Sequence, residues 1–139
     1  MATRTILVDT HVWLWLNGDV GRLSDDSLEL LASPENEIYL SAASSWEIGI
    51  KCSAGKLTLP LPPEIYIPTR LMDNGIRSLP IRQDHTLRAA ALPAHHRDPF
   101  DRMLVAQAQI EGLELMTVDR HIGAYEVELL WADQAFNQL

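Results

Sequence analysis

Three branched apolar residues, Ile6-Leu7-Val8, run straight into a carboxylate at Asp9. No polar residue alternates within the run, so it reads as a strand buried on both faces, the pattern of a parallel sheet covered by helices. The same kind of unit recurs at Ile38-Tyr39-Leu40, Ile76 to Ile81, Leu115 to Val118 and Val127 to Trp131. Helical patterns fill the intervals. One begins at Val12 to Leu16, one runs from a Ser24 cap to Leu31, and one opens at Ser44 and stops near Gly55. Pro60, Pro62, Pro63 and Pro68 predict a turn and a short helix ending about Asn74-Gly75. Two more helices are expected from about Asp84 to Leu92 and from Phe100 to about Gly112. Strands separated by helices predict a single α/β domain over residues 1–139, its central parallel sheet of about four to five strands flanked by helices.

A chain of 139 residues that is 47% hydrophobic has material for one full core. No apolar run approaches the ~20 residues that cross a bilayer, so no membrane partner is expected. Met1 to Thr5 leads directly into the first strand, which argues against a signal peptide. Cys52 is the only cysteine, so no internal disulfide forms and a reducing cytoplasm is the expected location. The net charge of -8, from 19 acids against 11 Lys plus Arg, gives no long-range attraction for nucleic acid. A polyanionic substrate would need a cation or a local basic rim, whereas a basic protein partner would be welcome.

In such sheets ligands bind beyond the carboxyl ends of the strands, where the next helices begin. Asp9 lies there, and so do other acids. Glu47 follows the second strand, although Ser44-Ser45-Trp46-Glu47 also fits a capping box. Asp98 before Pro99 has the form of a helix cap. Asp101 shares a helix face with Val105 and Ala108, and a carboxylate at the head of an inward stripe costs several kcal/mol to desolvate unless it is paired. Asp119 ends the strand from Leu115 and could be one more cap. Two carboxylates about 4 Å apart repel by roughly 4 kcal/mol at an effective dielectric of ~20. A divalent cation removes that repulsion, and oxygen-only donors suit Mg2+ or Mn2+.

Asp9-Thr10, then Trp46-Glu47-Ile48-x-Ile50-Lys51, then Asp98-Pro99-Phe100-Asp101-Arg102 leading into Ala106-Gln107-Ala108, then Thr117-Val118-Asp119, resembles the PIN-domain family. Within it the chain looks most like the VapC-type toxins of bacterial toxin–antitoxin pairs. The resemblance implies a pocket of acids, Asp9, Glu47, Asp101 and Asp119, binding Mg2+ or Mn2+, with Asp98 an extra acid that competes with Asp101 as the closer ligand. It implies a ribonuclease that hydrolyses phosphodiester bonds with a metal-activated water. It also implies a homodimer and a cognate antitoxin whose basic segment enters the acidic pocket. Thr10 and Thr117 then orient carboxylates, or are ordinary capping and strand hydroxyls. Lys51, Arg97 and Arg102 are the candidate basic rim for RNA.

His95 and His96 are neighbours whose side chains point apart, so they make a poor chelating pair, and a loop-positioning role is expected for His96. His11, His85 and His121 have no partner at ligand spacing. Core packing is the default for Trp13, Trp15, Trp46 and Trp131, with stacking on bases the alternative for one exposed ring. The segment Leu61 to Met72 carries more apolar surface than a short Pro-broken element can bury, which leaves core filling or a partner contact. A phosphotransfer domain would need paired acids near the first strand, where position 11 is His. A catalytically silent PIN-like binding module is the non-enzymatic alternative, and loss of one of the acids would have favoured it.

Overall fold

A computed structural model describes residues 3–136. Strand β1 (Thr5–Val8) is followed by helices α1 (Thr10–Gly18) and α2 (Asp25–Ala32), and β2 (Glu37–Ser41) by α3 (Ala42–Ser53) and α4 (Pro63–Asn74). Then come β3 (Arg77–Leu79), α5 (Gln83–Ala91), α6 (Pro99–Glu111), β4 (Glu114–Thr117), a 3-10 turn (Arg120–Ala124) and β5 (Leu129–Trp131). The five strands lie in the order β3-β2-β1-β4-β5 and every pairing is parallel. The chain lays β2 and β3 on one side of β1 and then returns to lay β4 and β5 on the other. The crevice between β1 and β4 is therefore the topological switch point, where ligands gather in sheets of this kind.

Ile6, Leu7 and Val8 are completely buried. Ile6 and Val8 face a layer holding Val12, Trp13, Ile48, Tyr66 and Ile67, whereas Leu7 faces Leu104, Val105, Ala108 and Ile122. Each buried side chain of this size contributes roughly 1.5–3 kcal/mol, so β1 is a rigid platform for Asp9. Gly112, at φ 67, ends α6 in the left-handed conformation that a side chain would resist. No helix among the described residues is long and apolar enough to cross a membrane.

Three elements differ from the sequence expectation. Helix α3 starts at Ala42, not Ser44, because Ser41 is both the last strand residue and the cap, its Oγ accepting from the Ala43 N–H at 3.0 Å. Helix α4 runs for 12 residues with Pro68 inside it, anchored by buried Tyr66 and Ile67. Leu61, Ile65 and Met72 of the same segment stay exposed. Strand β3 stops at Leu79 because Pro80 has no N–H to continue the ladder.

Arg102 holds the α5–α6 hairpin together. Its guanidinium donates to the carbonyl of Ala89 (2.8 Å) in the last turn of α5 and to those of Leu92 (2.9 Å) and Pro93 (3.0 Å) just beyond it. The candidate rim residue Arg102 thus has both terminal nitrogens engaged by the α5–α6 loop. Arg102→Ala is expected to lower stability by roughly 2 kcal/mol in urea unfolding, with little recovery in Arg102→Lys, since one ammonium cannot span the same carbonyls.

Candidate metal centre

Asp9 caps α1 at the end of β1. Its Oδ1 accepts the Val12 N–H at 2.9 Å, and its Oδ2 accepts the Thr117 hydroxyl across the β1–β4 crevice. Only 3% of Asp9 is exposed. Burial pushes its pKa above the ordinary 3.8, against the pull of the Thr117 and Val12 donors.

Glu47 lies in the second turn of α3 and is buried. The capping-box alternative does not hold for it, because Ser41 is the cap. Its Oε1 accepts the Thr10 hydroxyl at 2.7 Å and its Oε2 meets Lys51 Nζ at 2.9 Å. Ser44 Oγ lies 2.9 Å from the same Thr10 hydroxyl. Thr10 and Thr117 thus each hold one carboxylate of the cluster.

Asp98 caps α6, its Oδ1 accepting the Phe100 N–H at 2.8 Å and the Asp101 N–H at 3.4 Å. Asp101, one turn in, caps nothing. Its pKa is pushed up to about 7, first by burial and then by the charge of Asp98, with Asp9 and Glu47 adding to it and His96 opposing. That coupling is the electrostatic signature of the convergence: acids from β1, α3 and α6 press on one carboxyl. Asp119 enters from the end of β4, where its Oδ1 accepts the His121 N–H at 3.0 Å. Burial works to raise Asp119, but hydrogen bonds from His96 and His121 outweigh it and hold the carboxyl below its ordinary value.

His96 is the site residue that sequence reasoning set aside. Its Nε2 lies 2.7 Å from Asp119 Oδ2 and 3.1 Å from Asp101 Oδ2. The ring is aimed by two bonds: its backbone N–H donates to Tyr125 Oη at 2.9 Å, and its Nδ1 accepts the Asp98 N–H at 3.1 Å. An accepting Nδ1 puts the proton of the neutral ring on Nε2, which then donates to Asp119. Burial lowers the His96 pKa, but Asp119, Asp101 and Asp98 together raise it above 6.5. Adjacency to His95 excluded a chelating pair of histidines; it said nothing about each ring meeting an acid from another element.

Of the candidate rim, Lys51 is engaged by Glu47 and Arg102 by the α5–α6 loop. Arg97 is exposed and makes no ion pair among the described residues. In direct ion-pair contact, the five carboxylates meet one ammonium, Lys51, and the imidazoles of His96 and His121. This excess of negative charge on oxygen donors, with Asp101 held near neutral pH, fits a hard divalent cation.

The family model described as PIN domain matches residues 6–128. Over 122 residues the chain is 26% identical to Ribonuclease VapC22 of Mycobacterium tuberculosis, covering 87% of this chain and 92% of that protein. Over 79 residues it is 37% identical to Ribonuclease VapC16 of the same organism, covering 52% of this chain and little more than half, 56%, of that relative. Among solved structures it resembles VapBC2 from Rickettsia felis bound to a promoter DNA fragment, with a TM-score of 0.68, 15% identity, and 91% and 97% of the two chains covered. It also resembles FitAB bound to the IR36 DNA fragment, with a TM-score of 0.67, 18% identity, and 96% and 99% covered. At these identities the structural likeness shows the fold.

Proposed function

Since the chain belongs to the PIN domain family, we propose that it is a divalent-metal-dependent endoribonuclease and the toxin of a toxin–antitoxin pair. The observation that carries this reading is the gathering of carboxylates beyond the β1–β4 crevice, where Thr117 bridges to Asp9, Thr10 holds Glu47, and His96 meets both Asp101 and Asp119. Two relatives bear the name ribonuclease, and a toxin-antitoxin complex from Klebsiella pneumoniae shares the fold.

Asp9, Asp101, Glu47 and Asp119 would hold Mg2+ or Mn2+, with Asp98 adding charge beside them. A bound divalent cation supplies Lewis-acid stabilisation of the phosphate's negative charge and acidifies water, which makes phosphodiester hydrolysis feasible near neutral pH. The chain's own groups set up that chemistry. Thr117 fixes Asp9 and Thr10 fixes Glu47, so neither carboxylate must be ordered when substrate arrives. Lys51 offsets part of the Glu47 charge. His96 holds Asp119 and faces Asp101, separating two acids that would otherwise repel. Arg97 is the exposed cation positioned by sequence next to the site, and it meets RNA phosphates in this reading.

The acidic pocket and the net charge of -8 suit an antitoxin with a basic segment. Exposed Trp46, Ile50, Leu61, Ile65 and Met72 support a covered surface, consistent with antitoxin or with a homodimer. The working location in this reading is the cytoplasm.

The purified chain is expected to cleave RNA with Mg2+ or Mn2+ and to stop when the ion is chelated. Cleavage that persists in chelator, or no cleavage of any RNA by a chain that binds the ion, would oppose the assignment. Thr117→Val keeps the shape of the side chain but removes the donor to Asp9 and the acceptor of the Asp119 N–H. It is expected to weaken Mn2+ affinity and cleavage by ~10–100-fold, measured by calorimetry and by initial rates.

A further inference from the structure

The contact between His96 and Asp119 extends to a third group. His121 Nδ1 lies 3.2 Å from Asp119 Oδ1, while His96 Nε2 approaches the other oxygen at 2.7 Å. The two imidazoles meet edge to face with centroids 5.6 Å apart. One ligand atom from each of the three residues lies within 4.8 Å of the others. We infer that His96, Asp119 and His121 form a second cation site, one that takes a borderline transition ion of the Zn2+ class and shares Asp119 with the all-oxygen pocket.

The donor chemistry separates the two sites. Carboxylate oxygens alone favour Mg2+ or Mn2+, whereas two imidazoles and a carboxylate are ligands of Zn2+, Co2+ or Ni2+ and leave an open position for water. A tetrahedral ion about 2.0 Å from each donor spaces the donors roughly 3.3 Å apart. His121 can supply the adjustment that reaches that spacing: its side chain is 79% exposed, and its rotation disturbs little beyond its edge contact with His96. The His96 backbone is held in place by Tyr125. An ion on the His96 Nε2 leaves the proton of the neutral ring on Nδ1, so the Asp98 N–H must release that acceptor. Loading the site therefore has a local signature at the Asp98 amide. It also takes Asp119 and draws His96 from Asp101, so Zn2+ inhibits cleavage supported by Mg2+. That last consequence rests on the proposed nuclease; the site itself does not.

The test is titration of the full chain with Zn2+, and with Co2+ as the coloured reporter, in excess Mg2+. Wild type is expected to bind both, with intensified Co2+ visible bands and a shifted Asp98 amide resonance. His121→Ala is expected to bind Zn2+ at least ~10-fold more weakly while it still melts higher as Mn2+ is added. His121→Cys should regain Co2+ binding and add a thiolate charge-transfer band. Equal Zn2+ affinity in wild type and His121→Ala overturns the site. So does binding that is lost in Asp101→Asn but kept in His121→Ala, because the ion then sits among the carboxylates.

Discussion

Asp101→Asn is expected to melt higher than the wild-type chain at pH 8 in chelator, and to lose at least ~100-fold of its cleavage rate when Mg2+ or Mn2+ is restored. The two effects have one origin. Folding carries the Asp101 carboxyl from an ordinary 3.8 to about 7, and that gap corresponds to roughly 4 kcal/mol against the ionised form. Its side chain is 20% exposed, so part of that penalty is screened and a gain of about 2–3 kcal/mol on neutralisation is the reasonable expectation. The amide keeps the shape of the carboxyl, and Asp98 remains as the helix cap, so α6 itself is not at risk. The loss of activity follows because a ligand to the cation should matter more than its supporting groups, which are typically worth 10–100-fold. A variant that is both less stable and inactive would mean that Asp101 is a structural acid.

Without divalent cations, stability is expected to fall as pH rises from about 4 to 8. Between 3.8 and about 7 the folded chain holds a proton on Asp101 that the unfolded chain has released, so raising the pH favours unfolding across that window. Asp9, also raised, acts in the same direction. His96 does as well: its contribution is complete below its ordinary 6.5 and is lost as pH climbs through its raised folded value. Asp119 has the opposite sign. Its pKa is lowered, so its contribution is present above 3.8 and fades as pH falls through the lower folded value. The metal-free curve should therefore peak near pH 4, where the rise from Asp119 gives way to the fall from Asp101 and Asp9. Millimolar Mn2+ should lift the alkaline limb, because the ion replaces the protons that offset the clustered charge. Urea titrations from pH 4 to 8.5 with chelator or with Mn2+ measure this directly. A flat metal-free profile would mean that the acids do not interact as described.

Much of the architecture was legible because parallel strands announce themselves as apolar runs. Ile6-Leu7-Val8 is buried on both faces as its composition requires, and each strand-to-helix corner with an acid falls at one edge of the sheet. Asp98 and Asp119 are caps as their sequence form predicts, and Asp9 caps as well, but a cap occupies only part of a carboxylate's capacity, so capping and clustering coexist. What the sequence hid were contacts between elements distant along the chain. Ser41, Ser44 and Ser45 are all plausible caps until β2 is seen to enter α3 without a loop. Arg102 follows Asp101 directly, yet the helical turn carries its side chain to the end of α5. His96 meets Asp119 over a separation of 23 residues, through a loop whose course depends on Tyr125.

The most direct test of the metal centre is melting temperature against Mn2+ concentration for the wild type and Asp9→Asn at pH 7.5. An asparagine oxygen can still accept the Val12 N–H, so the α1 cap survives the substitution. Wild type should gain about 2.7 kcal/mol at a hundredfold excess over the dissociation constant, a rise of several degrees or more for a domain of this size. Asp9→Asn should start higher without metal and respond far less. Two identical flat responses across millimolar Mn2+ would make the acids caps rather than ligands, and the chain a PIN-like protein-binding module instead of a nuclease.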